Sequence, residues 1–153
     1  MPDRGILPAT NGYETGMALI MGEGRMSSAK LVVPAVPSSL QLARLTASSL
    51  AADLDWPLDD IEDLRIAVDE LTAALIAGAP GETLELEFAQ DGASLLVSGS
   101  CASTAPLEPL DPLALELLEL TTDHFTVDGG DGRRRFSIEK APTPTDGSRS
   151  DDA

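Results

Sequence analysis

The chain has 153 residues and a formal net charge of −16, with 26 acidic residues against 10 lysines and arginines. This length favours a single domain, and the charge repels nucleic acids and anionic lipid surfaces, so we expect neither as a direct partner. Hydrophobic residues make up 42% of the chain but aromatic residues only 3%, which predicts an aliphatic core.

The composition divides the chain into a central domain and two tails. Residues 1–27 contain scattered glycines without a sustained period, and residues 141–153 are rich in proline, serine and aspartate. Both are predicted to be disordered, which leaves residues 28–140 as the folded domain. No apolar run has signal or membrane-spanning length, and the single cysteine, Cys101, excludes an internal disulfide. We therefore expect a cytoplasmic protein without membrane contact, with Cys101 partly buried at a strand end.

The first predicted strand and helix come directly after the N-terminal tail. Residues 30–34 form an apolar strand, and Pro34 suggests its end or an edge position. Ser38 or Ser39 is expected to cap the helix that follows, whose apolar residues recur at helical spacing as far as Leu54.

The second predicted helix has the clearest pattern in the chain. Pro57 suits its first turn, where the missing N–H costs nothing, and Gly78 with Pro80 ends it. Acidic residues in the first turns complement the positive end of the helix dipole. Its apolar stripe follows steps of three and four residues: Ile61, Leu64, Val68, Leu71 and Leu75.

The rest of the chain alternates between strands and one short helix. Residues 83–88 alternate apolar and polar, Asp91-Gly92 is a hairpin signal, and residues 94–101 form the returning strand. After a proline-rich loop, the remaining predicted elements are a helix from Asp111 or Pro112 to Leu120, a strand at Phe125 and Val127, a turn over 128–132, and a strand over 133–140 with Phe136 and Ile138 inward. Single apolar stripes on all elements predict an α/β (α+β) two-layer sandwich, with helices on one face of a mixed, mostly antiparallel sheet.

The segment 63–76, Asp-Leu-Arg-Ile-Ala-Val-Asp-Glu-Leu-Thr-Ala-Ala-Leu-Ile, resembles the N-box helix of the histidine-kinase-like ATPase (GHKL) superfamily. The order of elements over residues 29–140 and the segment 120–128 are also similar to this superfamily. The similarity is greatest to diverged anti-sigma factors of the actinobacterial type. It implies a Bergerat-like fold with a reduced ATP lid.

The resemblance assigns roles to two positions of the second helix. Glu70 takes the place of the general base of the active kinases, and Ala74 takes the place of the asparagine that holds Mg²⁺. A methyl group cannot ligate a cation that needs oxygen donors, and Thr72 and Asp69 lie on other faces of the helix. Glu70 is therefore either a vestigial base or a solvated helix carboxylate.

The loop after the first hairpin departs further from the active kinases. Their glycine-rich loop lets backbone N–H groups approach phosphate, but residues 98–112 contain several prolines and one glycine, Gly99. Without metal and phosphate contacts, phosphoryl transfer loses its main sources of stabilisation. We therefore expect no catalytic residue, no metal and no cofactor. ATP and Mg²⁺ would bind only if the chain is an active kinase.

Arg44 is the residue that the resemblance connects with a partner. Related anti-sigma factors use a first-helix arginine in a similar setting to contact sigma factor, whereas an ordinary surface arginine would pack its stem on the helix. The resemblance implies an anti-sigma regulator that sequesters a sigma factor and is countered by an anti-anti-sigma (STAS-type) protein. It also implies a homodimer. The alternatives are an active serine kinase that uses Glu70, and a partner module unrelated to sigma factors.

Three further features of the sequence carry less functional weight. The glycine-rich segment 128–132 precedes no predicted helix, so a hairpin turn is expected instead of a phosphate loop. His124 is the only histidine and is predicted to be an exposed strand residue. The arginines at 133–135 are predicted to be a solvated strand start beside Asp128 and Asp131.

Overall fold

The computed structural model describes residues 18–21 and 28–144. Six strands form one sheet: β1 (Ala18–Met21), β2 (Ser28–Pro34), β3 (Thr83–Asp91), β4 (Ser94–Ala102), β5 (His124–Gly130) and β6 (Arg133–Lys140). The three helices are α1 (Ser39–Asp53), α2 (Leu58–Ile76) and α3 (Pro112–Thr121). The order across the sheet is β1-β2-β3-β4-β6-β5.

The predicted α+β arrangement of two layers is confirmed, but the sheet is antiparallel throughout the described strands and not mixed. The reason lies in the helix pair between β2 and β3. Because α1 and α2 run out and back, β3 starts where β2 ends, with Pro34 opposite Thr83. The N–H of Ala35 donates to the carbonyl of Glu82 at this junction.

β1 lies inside the segment that the sequence predicts to be a tail. Its residues pair with β2 in the register from Ala18 opposite Val32 to Met21 opposite Ala29. Residues 1–17, 22–27 and 145–153, which make up the remainder of the two predicted tails, lie outside the described residues. The N-terminal part of the chain therefore contributes an edge strand to the sheet.

The core lies between the sheet and the helices and is aliphatic, as the composition predicts. Alternate residues of β3, β4 and β6 face the helices, which confirms the predicted period of two. The most deeply buried side chains are Leu31, Val33, Leu64, Val68, Leu71, Leu75, Leu84, Leu86, Phe88, Leu95, Leu118 and Ile138. Trp56, at the turn between α1 and α2, donates its indole N–H to the carbonyl of Ala93.

The helix ends agree with the sequence signals except at α1. Ser38 takes the N-cap position of α1, but its side chain makes no capping hydrogen bond, so the predicted serine cap is wrong. α3 begins at Pro112, one of the two predicted starts, and Asp111 caps it by accepting from the N–H of Ala114 at 2.8 Å. Gly78 ends α2 with φ of 73°. Within residues 18–21 and 28–144, no helix is both long and apolar enough to cross a membrane.

The C-terminal end of β6 holds the N-terminal end of α2 through a buried charge cluster. The ammonium of Lys140 lies 3.8 Å from a carboxylate oxygen of Asp60, and both side chains are less than one-tenth exposed. Asp63 lies 3.9 Å from the same ammonium. Thr143 adds hydrogen bonds from its N–H and its hydroxyl to Asp60, each 2.9 Å long. The first residues of the predicted C-terminal tail are therefore held against α2.

Gly99 lies within β4, in agreement with the returning strand predicted over residues 94–101, and not in the loop that follows it. It lies opposite Leu86 on β3 and Phe136 on β6. A Cβ at this position would come within 2.5 Å of Cε2 of Phe136 and 2.8 Å of Cδ2 of Leu86. The aromatic ring thus occupies the space where another residue type would have its side chain.

Replacing Gly99 by alanine is expected to lower the free energy of unfolding by about 1–3 kcal/mol, because the added methyl overpacks the core. Gly130→Ala is the matched control, since a Cβ there has nothing within 4 Å and Gly130 has no positive φ. Urea denaturation of both variants measures the difference. Equal stability of the two variants would show that Phe136 moves aside without cost.

Candidate functional site

The solvent side of α2 carries the residues that the resemblance selects. Glu70 and Ala74 are both half-buried and lie one turn apart. Thr72 and Asp69, the two nearby residues with side-chain oxygens, cannot supply the cation ligand that is missing at Ala74. Thr72 is fully buried, and its hydroxyl has no hydrogen-bond partner within the described part of the chain. Asp69 is engaged by an arginine of α1.

Glu70 has a perturbed acidity. Partial burial, together with the negative charges of Asp69 and Asp111, raises the pKa of its carboxyl above the ordinary value of 4.5. The influence of Asp111 shows that the N-terminal end of α3 lies close to this part of α2. Among the residues that the structure describes, there is no cluster of three or more Asp, Glu, His or Cys side chains arranged to hold a metal ion. Burial and the two neighbouring carboxylates therefore shift the pKa of Glu70 in the direction that suits a general base.

The raised pKa of Glu70 predicts a pH-dependent destabilisation. Between pH 4.5 and the higher folded-state pKa, the native protein binds more protons than the unfolded chain, so stability falls as the pH rises. Glu70→Gln removes this charge, and the variant is expected to be more stable than the parent at pH 7. Below pH 4.5 the parent carboxyl is neutral as well, so the advantage should vanish in thermal unfolding curves. An advantage that is the same at both pH values would show that the carboxylate charge is not its cause.

Arg44 already forms an ion pair within the chain, so it can bind another protein only by exchanging its present carboxylate partner. Its guanidinium donates to Oδ1 of Asp69 at 2.6 Å, and both side chains are about one-third exposed. The pair joins α1 to α2 on their solvent side. The sequence selected Arg44 as partner-binding and noted Asp69 only as a neighbour of Ala74, and it did not predict that Arg44 and Asp69 bind each other.

An apolar groove continues the same seam between α1 and α2 beyond the Arg44–Asp69 pair. It has a volume of about 470 Å³. Leu40, one turn before Arg44, and Ala73, one turn after Asp69, lie on its two sides. The other lining residues are Ala35, Val36, Pro37, Ile76, Ala77, Gly78, Ala79 and Pro80. Since exposed apolar surface of this kind marks interaction sites, the α1–α2 seam is the best candidate for a binding surface.

Arg134 is the functional residue that the sequence analysis missed. The prediction of a solvated strand start is wrong for this residue, which is only 3% exposed. Arg134, Phe136 and Ile138 alternate along β6, so the signal was available: if the two apolar residues face inward, the arginine does too. Its guanidinium donates to five carbonyl groups: those of Ala74, Leu75 and Ala77 at the end of α2, and those of Ala105 and Pro106 in the loop before α3.

These hydrogen bonds fix the loop between β4 and α3, which is the region that the resemblance compares with the phosphate loop. The N–H of Ser103 also donates to the carbonyl of Gly132 at 2.9 Å, and the hydroxyl of Ser103 accepts from the N–H of Ala105. The guanidinium of Arg134 thus ties the loop, through the carbonyls of Ala105 and Pro106, to the end of α2. A cation at the end of α2 also complements the negative end of the helix dipole.

Arg134→Met is expected to lower the free energy of unfolding by about 3–5 kcal/mol, because it leaves buried carbonyls at the end of α2 without donors. Arg135→Met is the matched control on the same strand, since Arg135 is exposed on the open face of the sheet. Chemical denaturation gives the stability, and limited proteolysis gives the accessibility of residues 103–111. A stable Arg134→Met variant with an uncleaved loop would contradict this role.

The other sequence candidates do not join the site. His124 is exposed on β5, as predicted. Cys101 is fully buried in β4, and burial together with Glu82 raises the pKa of its thiol, against the opposing effect of Arg134 and Arg133. A buried thiol with a raised pKa is a poor nucleophile. The turn predicted over 128–132 is confined to Asp131 and Gly132, both at positive φ, and β6 follows it.

No protein-family model matches the chain, and no curated protein matches it.

Proposed function

We propose that this protein is a regulatory binding protein of the anti-sigma type, which sequesters a sigma factor and releases it to a small anti-anti-sigma partner. The observation that carries the proposal is the α1–α2 seam, where an exchangeable ion pair adjoins an open apolar groove. The identification of the partners as a sigma factor and its antagonist rests on the resemblance of α2 to the N-box helix of anti-sigma factors.

The chemistry of the seam suits a protein partner. The groove of about 470 Å³ can bury apolar side chains, which supply most of the affinity of an interface. Arg44 can exchange the carboxylate of Asp69 for one on the partner, and arginine is enriched among residues that dominate binding energies. The partner must then offer an apolar segment flanked by a carboxylate, and the net charge of −16 favours one whose surrounding surface is basic.

The residues around Glu70 favour binding over catalysis. Ala74 supplies no oxygen for a cation. The guanidinium of Arg134 also holds the carbonyls of Ala105 and Pro106, which belong to the loop compared with the phosphate loop. A protein serine kinase is the second candidate, and the observation in its favour is the raised pKa of Glu70, which suits a general base. Transfer of phosphate from Mg-ATP to an anti-anti-sigma protein, abolished by Glu70→Ala, would establish the kinase instead.

We expect Arg44→Glu to weaken sigma-factor binding by at least about 10-fold, the effect of losing a strong interface contact. Arg65→Glu is the matched control, because Arg65 is also a partly exposed arginine paired with a carboxylate, Glu62. Its effect should stay within about threefold, as for a rim charge. Purified sigma factors of the source organism, titrated by calorimetry, provide the measurement. If no sigma factor binds the parent chain, or both variants bind equally, the proposal fails.

A titration with Mg-ATP separates the two candidate functions. The binding protein is expected to show no heat of ATP binding at micromolar concentrations, since neither a magnesium ligand nor a flexible phosphate loop is present at the expected positions. Tight, magnesium-dependent binding would contradict the degenerate site and favour the kinase.

A further inference from the structure

α3 carries an apolar stripe that the core does not use. The residues that this helix buries are Ala114, Leu118 and Thr121. The residue before each of them is a leucine, at positions 113, 117 and 120, so the three leucines form a second stripe about 100° round the helix. Leu113 is 66% exposed and Leu120 is 71% exposed. Apolar residues at steps of four and three are the pattern by which one helix binds another.

This stripe is bordered by carboxylates. Glu116 lies three residues after Leu113 and four before Leu120, so it is a neighbour of both leucines on the helix surface. Both Glu116 and Glu119, one turn further on, are exposed. No lysine or arginine occurs in residues 66–132, a range that includes the whole of α3. The helix therefore presents leucines and negative charges together.

The elements beside α3 do not compensate its charge. α3 packs on α2 and on β5, and β5 contains neither lysine nor arginine. The single cation of α2, Arg65, pairs with Glu62. The exposed Arg135 of β6 points to the open face of the sheet, away from the helices. The stripe is thus an apolar surface in a negative field, which attracts positively charged groups from outside the chain.

We propose that α3 is a docking surface for an amphipathic helix of another protein, whose own apolar stripe is flanked by lysines and arginines. The apolar side chains of that helix cover Leu113, Leu117 and Leu120, and its cations meet Glu116 and Glu119. Apolar burial supplies most of the affinity of such a contact, while the complementary charges set its orientation and its association rate.

The charge of α3 favours this occupant over the two others that could cover leucines. A second copy would bring the same carboxylates of two α3 helices together, and like charges in an interface are costly. An anionic lipid surface is repelled for the same reason. The apolar groove of the α1–α2 seam shares no residue with the α3 stripe, so a partner bound here is additional to the one proposed for the seam.

A synthetic helix of leucine and lysine tests the apolar part of the surface. It has about 18 residues, or about five turns, with leucines at helical steps of three and four. Calorimetry on the full chain measures its dissociation constant, which Leu113→Ser with Leu120→Ser should raise at least about 10-fold. The matched control is Leu45→Ser with Leu58→Ser, at positions 55% and 70% exposed on the other helices, and its effect should stay within about threefold. Neither pair alters the net charge, and thermal unfolding establishes that both variants fold.

A second pair of variants tests the charges. Glu116→Gln with Glu119→Gln should raise the dissociation constant at least about threefold at low salt, and the difference should vanish at about 1 M salt, where charges are screened beyond about 3 Å. Glu85→Gln with Glu87→Gln is the matched control, because it takes the same charge from the open face of the sheet, and it should have a smaller effect.

A peptide of the same composition with its leucines scattered round the helix measures the general attraction to an acidic chain. It should bind at least about 10-fold more weakly than the amphipathic probe. Equal binding of the two peptides, or an unchanged affinity of the leucine variant, would overturn the proposal. So would sedimentation equilibrium that gives twice the chain mass of 15.9 kDa for the parent and the single mass for the leucine variant, since the occupant is then a second copy. No sigma factor enters these measurements, so their outcome is independent of the function proposed for the seam.

Discussion

The packing of α2 across the sheet depends on β6, which binds this helix at both ends. Arg134 donates to the C-terminal carbonyls of α2, while Lys140 lies between Asp60 and Asp63 at its N-terminal end. From Arg134 to Lys140 the strand extends about 20 Å, and from Asp60 to Ile76 the helix extends about 24 Å. The two cations therefore match the two ends of the helix, with Phe136 and Ile138 filling the core between them. Each buried cation is tolerated because oxygen atoms of α2 lie next to it and compensate its charge.

This arrangement also determines what the molecule can do at the loop between β4 and α3. One terminal guanidinium nitrogen of Arg134 donates to carbonyls at the end of α2, and the other donates to the carbonyls of Ala105 and Pro106. Movement of this loop would break the part-buried hydrogen bonds that Ala105 and Pro106 accept from Arg134. The Arg44–Asp69 pair of the α1–α2 seam is partly exposed and can exchange partners at modest cost.

The local sequence determined most of the elements because their signals depend only on neighbouring residues. The alternation in β3, β4 and β6, the apolar stripe of α2, the start of α3 and the turn at Gly92 were all predicted from periodicity and from the positions of proline and glycine. β1 was missed because a four-residue strand is too short for its period to stand out within a glycine-rich segment. The serine cap of α1 was wrong because a preferred residue type does not guarantee that its side chain turns towards the free N–H groups.

The geometry of the candidate site depended on contacts between distant segments. The sequence by itself identified Glu70, Ala74 and Arg44 as positions of interest, since a motif carries residue types at fixed spacing. Only the tertiary structure paired Arg44 with Asp69, buried Arg134 under the loop and put Phe136 against Gly99. Each of these contacts joins residues at least 25 positions apart. Their formation is decided by how helices and strands pack, and no local pattern in the chain contains that information.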